Sequence, residues 1–165
     1  MLDALSGAAP EVRFDAAALR AAAAAHLTLW ASQGEWIEPL AELLGGPAGA
    51  QLLAPAERLS SAQQASLMIR EVPRRPAFAS ETGDWSHVDV YLTKTQDYRA
   101  LVYAGSAYDE QAMEWMRERG SRWASVGAEL PGSEFAIRYP GDTDPSVAPL
   151  VDSLIGELLA DHWQR

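Results

Sequence analysis

The chain has 165 residues, a length typical of one domain with its own hydrophobic core, and 48% of them are hydrophobic, which argues against disorder. Its net charge of −10 argues against a nucleic-acid or anionic-membrane partner, because such phosphates attract basic surfaces. The lack of cysteine excludes disulfides, a thiolate nucleophile and a Cys-based zinc site, and the sequence indicates no metal ion or other cofactor. No apolar run reaches the ~18 residues of a membrane span, so we predict a cytoplasmic protein.

The first third of the chain reads as a lead followed by helices. The segment from Ser6 to Pro10 is rich in glycine, alanine and proline, so residues 1–14 are predicted to be a lead or linker and residues 15–165 a single domain. High alanine content predicts a helix from Asp15 to Ser32. Helical spacing of large apolar residues predicts a second helix from Trp36 to Leu44, which the glycines that follow would end.

A strand and a helix follow. The apolar run from Ala50 to Ala54 predicts a buried strand, and the stripe that runs to Val72 predicts a central helix, which Pro73 ends. Ser60 or Ser61 is the predicted N-cap, because each has a glutamine three residues later.

The rest of the sequence predicts strands that alternate with helices. Strands are expected at Val88 to Leu92, Arg99 to Ala104, Trp123 to Gly127 and Glu134 to Tyr139. A helix that starts at Asp109 and stops at Gly120 separates the second from the third, which makes a βαβ unit, and a last helix should run from Asp144 to Trp163. The predicted fold is α/β, with a mainly parallel sheet flanked by helices, and its ligands would bind beyond the carboxyl ends of the strands.

The segment from Leu59 to Tyr91 contains the residues best suited to chemistry. Ser60 and Ser61 stand at a helix start, where free backbone N–H groups favour an anion such as a phosphate. Glu71 and His87 are a carboxylate and an imidazole that can move protons on a small substrate. The simpler readings are that the serines only cap the helix and that Glu71 forms a surface salt bridge with a nearby arginine.

The helix ASLMIRE and the segment ETGDWSHVDVY resemble motifs of the sugar isomerase (SIS) domain, and in particular the second SIS domain of glucosamine-6-phosphate synthase-like proteins. The resemblance runs from Ala50 to the end and implies a Rossmann-type three-layer sandwich that binds a phosphosugar. It implies that Glu71 is the base that shuttles a proton between C1 and C2 and that His87 helps to open the ring, often from a neighbouring subunit. Ser60 and Ser61 would hold the phosphate.

Three further residues complete the predicted substrate contacts: Gln63, Thr82 and Trp85. Trp85 stands two residues before His87, where its ring would stack on the sugar. A sugar phosphate is therefore the predicted ligand, and the partner is either a second copy in a homodimer or a separate SIS domain.

The sequence also departs from the pattern of the family. Met68 replaces a lysine one turn before Glu71, Val88 replaces the glycine after His87, and no SxSGxT-like phosphate loop occurs. These departures suggest half of a two-domain protein. The leading hypothesis is an aldose–ketose isomerase, or a subunit of one, for a hexose or aminosugar phosphate. The alternatives are a non-catalytic phosphosugar-binding or dimerisation module and a chaperone-like α/β interaction protein.

Overall fold

The computed structural model describes residues 15–165, and the predicted lead at residues 1–14 lies outside them. The described elements, in chain order, are α1 (Ala16–Ala31), α2 (Gln33–Leu44), β1 (Ala50–Ala54), α3 (Leu59–Glu71), β2 (Ala77–Glu81), α4 (Thr82–His87), β3 (Arg99–Tyr103), α5 (Asp109–Glu118), β4 (Arg122–Val126), β5 (Ala136–Ile137), α6 (Ala148–Val151) and α7 (Ser153–Gln164). There are also two 3-10 helices: Ala56–Arg58 lies between β1 and α3, and Asp89–Lys94 lies between α4 and β3.

The five strands form one parallel sheet in the order β2-β1-β3-β4-β5. The chain leaves β1 toward one edge of the sheet to form β2 and then crosses back to form β3. The order of the strands therefore reverses between β1 and β3, which is where open α/β sheets leave a crevice for a ligand. The predicted α/β class and parallel sheet are confirmed.

A hydrophobic core lies on each face of the sheet, because successive strand residues point to opposite sides. Leu101 and Tyr103 of β3 face the larger core, which is covered by α1, α2, α3, α6 and α7. Ala100 and Val102 face the smaller core, which is covered by α4 and α5. The result is a three-layer sandwich with α3 and α4 on opposite faces.

Four details of the sequence prediction need correction. The predicted strand from Val88 to Leu92 is mostly 3-10 helix, and the edge strand is instead β2, which the prediction missed. The strand predicted from Glu134 to Tyr139 is only two residues long, Ala136–Ile137. The last predicted helix is two helices that meet at Asp152.

The fourth correction concerns the start of α3. The 3-10 turn Ala56–Arg58 leads directly into the helix, so α3 begins at Leu59 and its N-cap position is Arg58, which makes no side-chain capping bond. Ser60 and Ser61 therefore lie inside the first turn of α3 and do not cap it.

Candidate ligand site at the carboxyl ends of β1 and β3

A cavity of about 430 Å³ lies at the point where the strand order reverses. It is formed by the segments that follow β1, β3 and β4 and by the loop that enters α6. Its lining residues are Pro55, Glu57, Arg58, Ala104, Gly105, Ala128, Asp142, Thr143, Asp144, Pro145, Ala148 and Pro149. The volume falls within the range of about 300–1,000 Å³ that small-molecule sites occupy.

Arg58 forms the charged floor of this cavity and is held by fixed partners. Its Nε and Nη2 donate to the two carboxylate oxygens of Asp152, each at 2.7 Å, and its Nη1 donates to the carbonyl oxygen of Ala104 at 2.9 Å. Tyr139 donates its hydroxyl to the same carboxylate. This network joins the segment after β1 to the end of β3 and to the junction of α6 and α7.

The network is buried, so each charged group in it shifts the pKa of its neighbours. Burial lowers the pKa of the Arg58 guanidinium, but the hydrogen bond and negative charge of Asp152 outweigh burial and hold that pKa above its usual value. Burial and the Asp152 carboxylate raise the pKa of Tyr139, so its hydroxyl stays a neutral donor. Arg58 is consequently a structural cation, and its charge is already balanced.

The rim of the cavity is acidic. Glu57, Asp142 and Asp144 line it, and Arg58 is the only basic residue among the lining residues. Asp142 accepts a hydrogen bond from Arg138, while Asp144 accepts from the backbone and hydroxyl of Ser146, which lowers the pKa of Asp144. Carboxylates are hydrogen-bond acceptors, so this rim suits the hydroxyl groups of a sugar better than a bare anion.

The loop after β3 carries backbone donors that already have an acceptor. Asp109, at the start of α5, accepts hydrogen bonds through Oδ2 from the backbone N–H groups of Gly105 at 2.7 Å and Ser106 at 3.0 Å. Gly105 has a φ of +125°, a conformation that favours glycine. Burial raises the pKa of Asp109, and these two N–H groups partly oppose the shift. The Asp109 carboxylate thus satisfies both N–H groups of this loop.

Glu71 and His87 end two helices that cover opposite faces of the sheet. Helix α3 starts at the carboxyl end of β1 and runs back along the sheet. In its second half Ser66 donates to the carbonyl of Ala77, the first residue of β2. Glu71 is therefore exposed near the amino edge of the sheet. His87 is exposed at the end of α4, on the opposite face.

Ser60, Ser61 and Gln63 all lie in the first turns of α3, close to the carboxyl edge of the sheet. Ser60 and Gln63 are exposed, and Ser61 is buried with its hydroxyl 3.4 Å from the carbonyl oxygen of Pro149, a cavity residue. Gln63 faces a separate, shallower cavity of about 380 Å³ beside β2, whose polar residues include Glu81 and Asp84. Ser61 thus contacts a residue of the larger cavity, and Gln63 lines the shallower one.

Thr82 and Trp85 belong to the smaller core. Trp85 is fully buried, and its indole N–H donates to the Tyr98 hydroxyl at 2.6 Å. Trp85 also borders the shallower cavity beside β2, so stacking of its ring on a ligand stays a prediction. Thr82 is also fully buried and stands at the first position of α4.

The sequence prediction missed Arg58, Asp152, Tyr139 and Asp109. One signal was available: Asp152 interrupts an otherwise apolar helical stripe, and a carboxylate at such a position needs a buried partner. Its partner, Arg58, is 94 residues away in the sequence, and no local pattern links the two.

Residues 15–165 show no membrane-spanning helix and no metal-binding cluster. No helix in this range is long and apolar enough to cross a membrane. The same range contains no group of three or more His, Asp or Glu side chains placed to hold a metal ion.

No protein-family model matches the chain, and no curated protein matches it by sequence. Solved structures do match. The C-terminal domain of glucosamine-fructose-6-phosphate aminotransferase from Francisella tularensis superposes with a TM-score of 0.73 at 14% identity, over 88% of this chain and 43% of that one. The Escherichia coli CFT073 protein c3406, in complex with a phosphosugar, superposes with a TM-score of 0.68 at 12% identity, over 88% and 87%.

A third match is the Vibrio vulnificus NanR protein complexed with ManNAc-6P, with a TM-score of 0.64 at 10% identity, over 90% of this chain and 59% of that one. The chain thus spans less than half of the first of these structures and most of the second. These identities are too low to carry more than the fold. The chain has the fold of the SIS domain of sugar-phosphate isomerase-like proteins, as its sequence predicted.

Proposed function

We propose that this chain binds a sugar phosphate in the cavity at the carboxyl ends of β1 and β3. The observation that carries the proposal is the position of the cavity at the reversal of strand order, in a fold that also occurs in the two phosphosugar complexes, c3406 and NanR. Cavities in α/β sheets are ligand sites at this position because loops from several strands converge there.

The charges around the cavity suggest how such a ligand would lie. Sugar hydroxyls would donate to the rim carboxylates of Glu57 and Asp144. The phosphate would lie toward the first turn of α3, near Ser60 and Ser61, because the positive end of the helix dipole and the serine hydroxyls favour an anion there. With Arg58 already paired, the phosphate gains no free cation, so we expect weak, micromolar to millimolar binding.

Binding can be tested by titration calorimetry with fructose 6-phosphate, glucosamine 6-phosphate and inorganic phosphate. Thr143 lines the cavity and is exposed, so Thr143→Trp should block the cavity without disturbing the core and weaken sugar-phosphate binding at least about tenfold. Thr95→Trp is the matched control, since Thr95 is an exposed threonine outside the cavity. Equal binding by the two variants, or no sugar-phosphate binding by the unmodified chain, would refute the proposal.

Isomerase activity is a separate part of the proposal. Glu71 is the proposed base and His87 the proposed ring-opening residue. Their helices cover opposite faces of one sheet, so we expect a neighbouring chain to supply one of them. Binding without catalysis is the second candidate, and this separation of the two residues favours it. The proposal also includes a partner, which is a second copy in a homodimer or a separate SIS domain. It further includes a cytoplasmic location.

The two candidates differ in an interconversion assay with the sugar phosphate that binds. If Glu71 is the base, Glu71→Gln should lower kcat by at least about a hundredfold and leave binding unchanged. Glu118→Gln is the control, because Glu118 is an exposed glutamate that likewise ends a helix. Measurable activity that both variants retain would rule out Glu71 as the base, and binding without any turnover would establish the non-catalytic candidate.

A further inference from the structure

The free edge of the sheet lies at the bottom of a groove. β2 is the first strand in the order of the sheet, and of the strands in residues 15–165 only β1 pairs with it. Two shallow cavities, of about 380 and 310 Å³, follow its free side and share the lining residues Gln63, Ala79, Ser80 and Asp89. Together they form one continuous depression along β2, which we call the edge groove.

Helix α3 forms one wall of the edge groove, and the segment after β2 forms the other. The residues of the first wall, Leu59, Gln63, Ser66 and Arg70, are three or four positions apart and so follow one side of α3. The second wall extends from Asp84 to Asp89. Phe78 of β2 lines the groove between the walls and exposes 53% of its surface, so the groove offers an apolar contact as well.

The backbone of β2 offers hydrogen-bonding groups to the edge groove. The N–H of Ala50, the first residue of β1, donates to the carbonyl of Pro76, so Pro76 faces β1. Successive residues of a strand direct their backbone groups to opposite neighbours, and Ala77 and Ala79 therefore face the free side. The hydroxyl of Ser66 accordingly reaches the Ala77 carbonyl from the α3 wall, at 2.9 Å. The N–H and carbonyl of Ala79, in the middle of β2, are left for a strand in the groove.

The two ends of the edge groove carry opposite charges. Arg70 lines the end near Ala77, and Arg74 is exposed in the segment that leads into β2. Glu81 and Asp84 line the end where β2 finishes. The ion pairs within residues 15–165 involve none of these four charged side chains. The groove is therefore positive where β2 starts and negative where it ends.

We propose that the edge groove binds an extended segment of a partner protein, which adds one strand to the sheet, antiparallel to β2. Antiparallel pairing is the more stable arrangement per residue. It also sets the order of charges in the segment. A basic residue comes first, beside Glu81 and Asp84, and an acidic residue follows several positions later, beside Arg70.

A second copy of this chain fits the edge groove less well. Its own β2 lies at the bottom of the same groove, so the walls of the two copies would meet before the two strand edges could pair. The edge groove also shares no lining residue with the cavity at the carboxyl ends of β1 and β3. Binding of the partner segment therefore does not require sugar-phosphate binding.

Amide NMR of the full-length chain with a designed peptide tests the order of charges. The peptide has about seven residues, enough to span β2, with lysine first, glutamate last, alternating threonine and valine between them, and blocked ends. It should shift the amide signals from Ala77 to Glu81. A peptide with the lysine and the glutamate exchanged should bind at least about fivefold more weakly, because each charge then meets its own sign.

A second pair of peptides tests strand addition itself. An extended peptide directs the N–H groups of alternate residues to one side, so N-methylation of one alternate set removes the donors of that side alone. Methylation of the set that faces β2 should weaken binding at least about tenfold, and methylation of the other set should leave it unchanged.

A charge reversal at Arg70 tests the position of the peptide. Arg70→Glu should remove the preference for the peptide with lysine first. Arg117→Glu is the control, because Arg117 is an exposed arginine of α5 outside the groove, and this variant should keep the preference. Both side chains are exposed, so the fold should be unchanged, which far-ultraviolet circular dichroism can verify.

Three results would overturn the proposal. One is the absence of any shift at β2 with the peptides at millimolar concentration. Another is equal binding of the two N-methylated peptides. The third is slow hydrogen exchange of the Ala79 amide in the free chain, which would show that residues 1–14 or a second copy already pair with this edge.

Discussion

Replacement of Arg58 by alanine is expected to lower the free energy of unfolding by about 3–5 kcal/mol, because it leaves the Asp152 carboxylate buried without its counter-charge. The side chains of Arg58 and Asp152 are 8% and 0% exposed, so the pair is shielded from solvent in the unmodified chain. The Ala104 carbonyl loses its donor as well. Urea denaturation followed by tryptophan fluorescence measures the change.

A matched control exists on the surface. Arg122 donates through Nε and Nη2 to both carboxylate oxygens of Glu134, but these side chains are 44% and 39% exposed. Arg122→Ala should therefore cost less than about 1 kcal/mol. Asp152→Ala combined with Arg58→Ala should cost less than the sum of the single changes, because neither charge is then left alone. Similar small losses for Arg58→Ala and Arg122→Ala would contradict this account of the buried pair.

The second large effect is expected at Gly156, where α7 crosses α3. A Cβ atom at this position would lie 2.2 Å from Cβ and 2.5 Å from Cα of Ala65, so the two helices would have to move apart. Both are packed into the larger core. Gly156→Ala should therefore destabilise the protein by about 1–3 kcal/mol, even though alanine favours a helix more than glycine does.

Gly34 in α2 is the natural control. A Cβ atom there would meet nothing within 4 Å, so Gly34→Ala should stabilise the protein by up to about 1 kcal/mol through helix propensity alone. Opposite signs for the same substitution at two helical glycines would show that contact with α3 decides the outcome at Gly156. Stabilisation by Gly156→Ala would contradict the close approach of α7 to α3. Adding Ala65→Gly should restore part of the stability that Gly156→Ala removes.

The sequence predicted the centre of the sheet well because apolar runs mark buried strands. β1, β3 and β4 are almost completely buried and appear in the sequence as such runs. β2 was missed because it is an edge strand in which only Ala77 is buried and Phe78 is exposed. The alternation from Val88 to Leu92 looked like a strand, but the chain there turns over the smaller core as a 3-10 helix, in which Val90 supplies the buried contact.

The site was harder to predict than the fold, because it depends on contacts between distant segments. Its general position follows from the parallel sheet, and Ser61 contacts Pro149, one of the cavity residues. The ion pair of Arg58 and Asp152 requires three-dimensional packing that spacing does not encode. The roles of Glu71 and His87 stay predictions. Their spacing along the chain does not reveal that the strand between them places their helices on opposite faces of the sheet.

The network at the floor of the cavity also affects the thermodynamics of ligand capture. Arg58 ties three parts of the chain together through hydrogen bonds that exist before any ligand arrives. A ligand that enters has few side chains to immobilise there, so little conformational entropy is lost at the floor. We therefore expect recognition by a preorganised surface, with small backbone movement between the free and occupied forms and association limited mainly by diffusion.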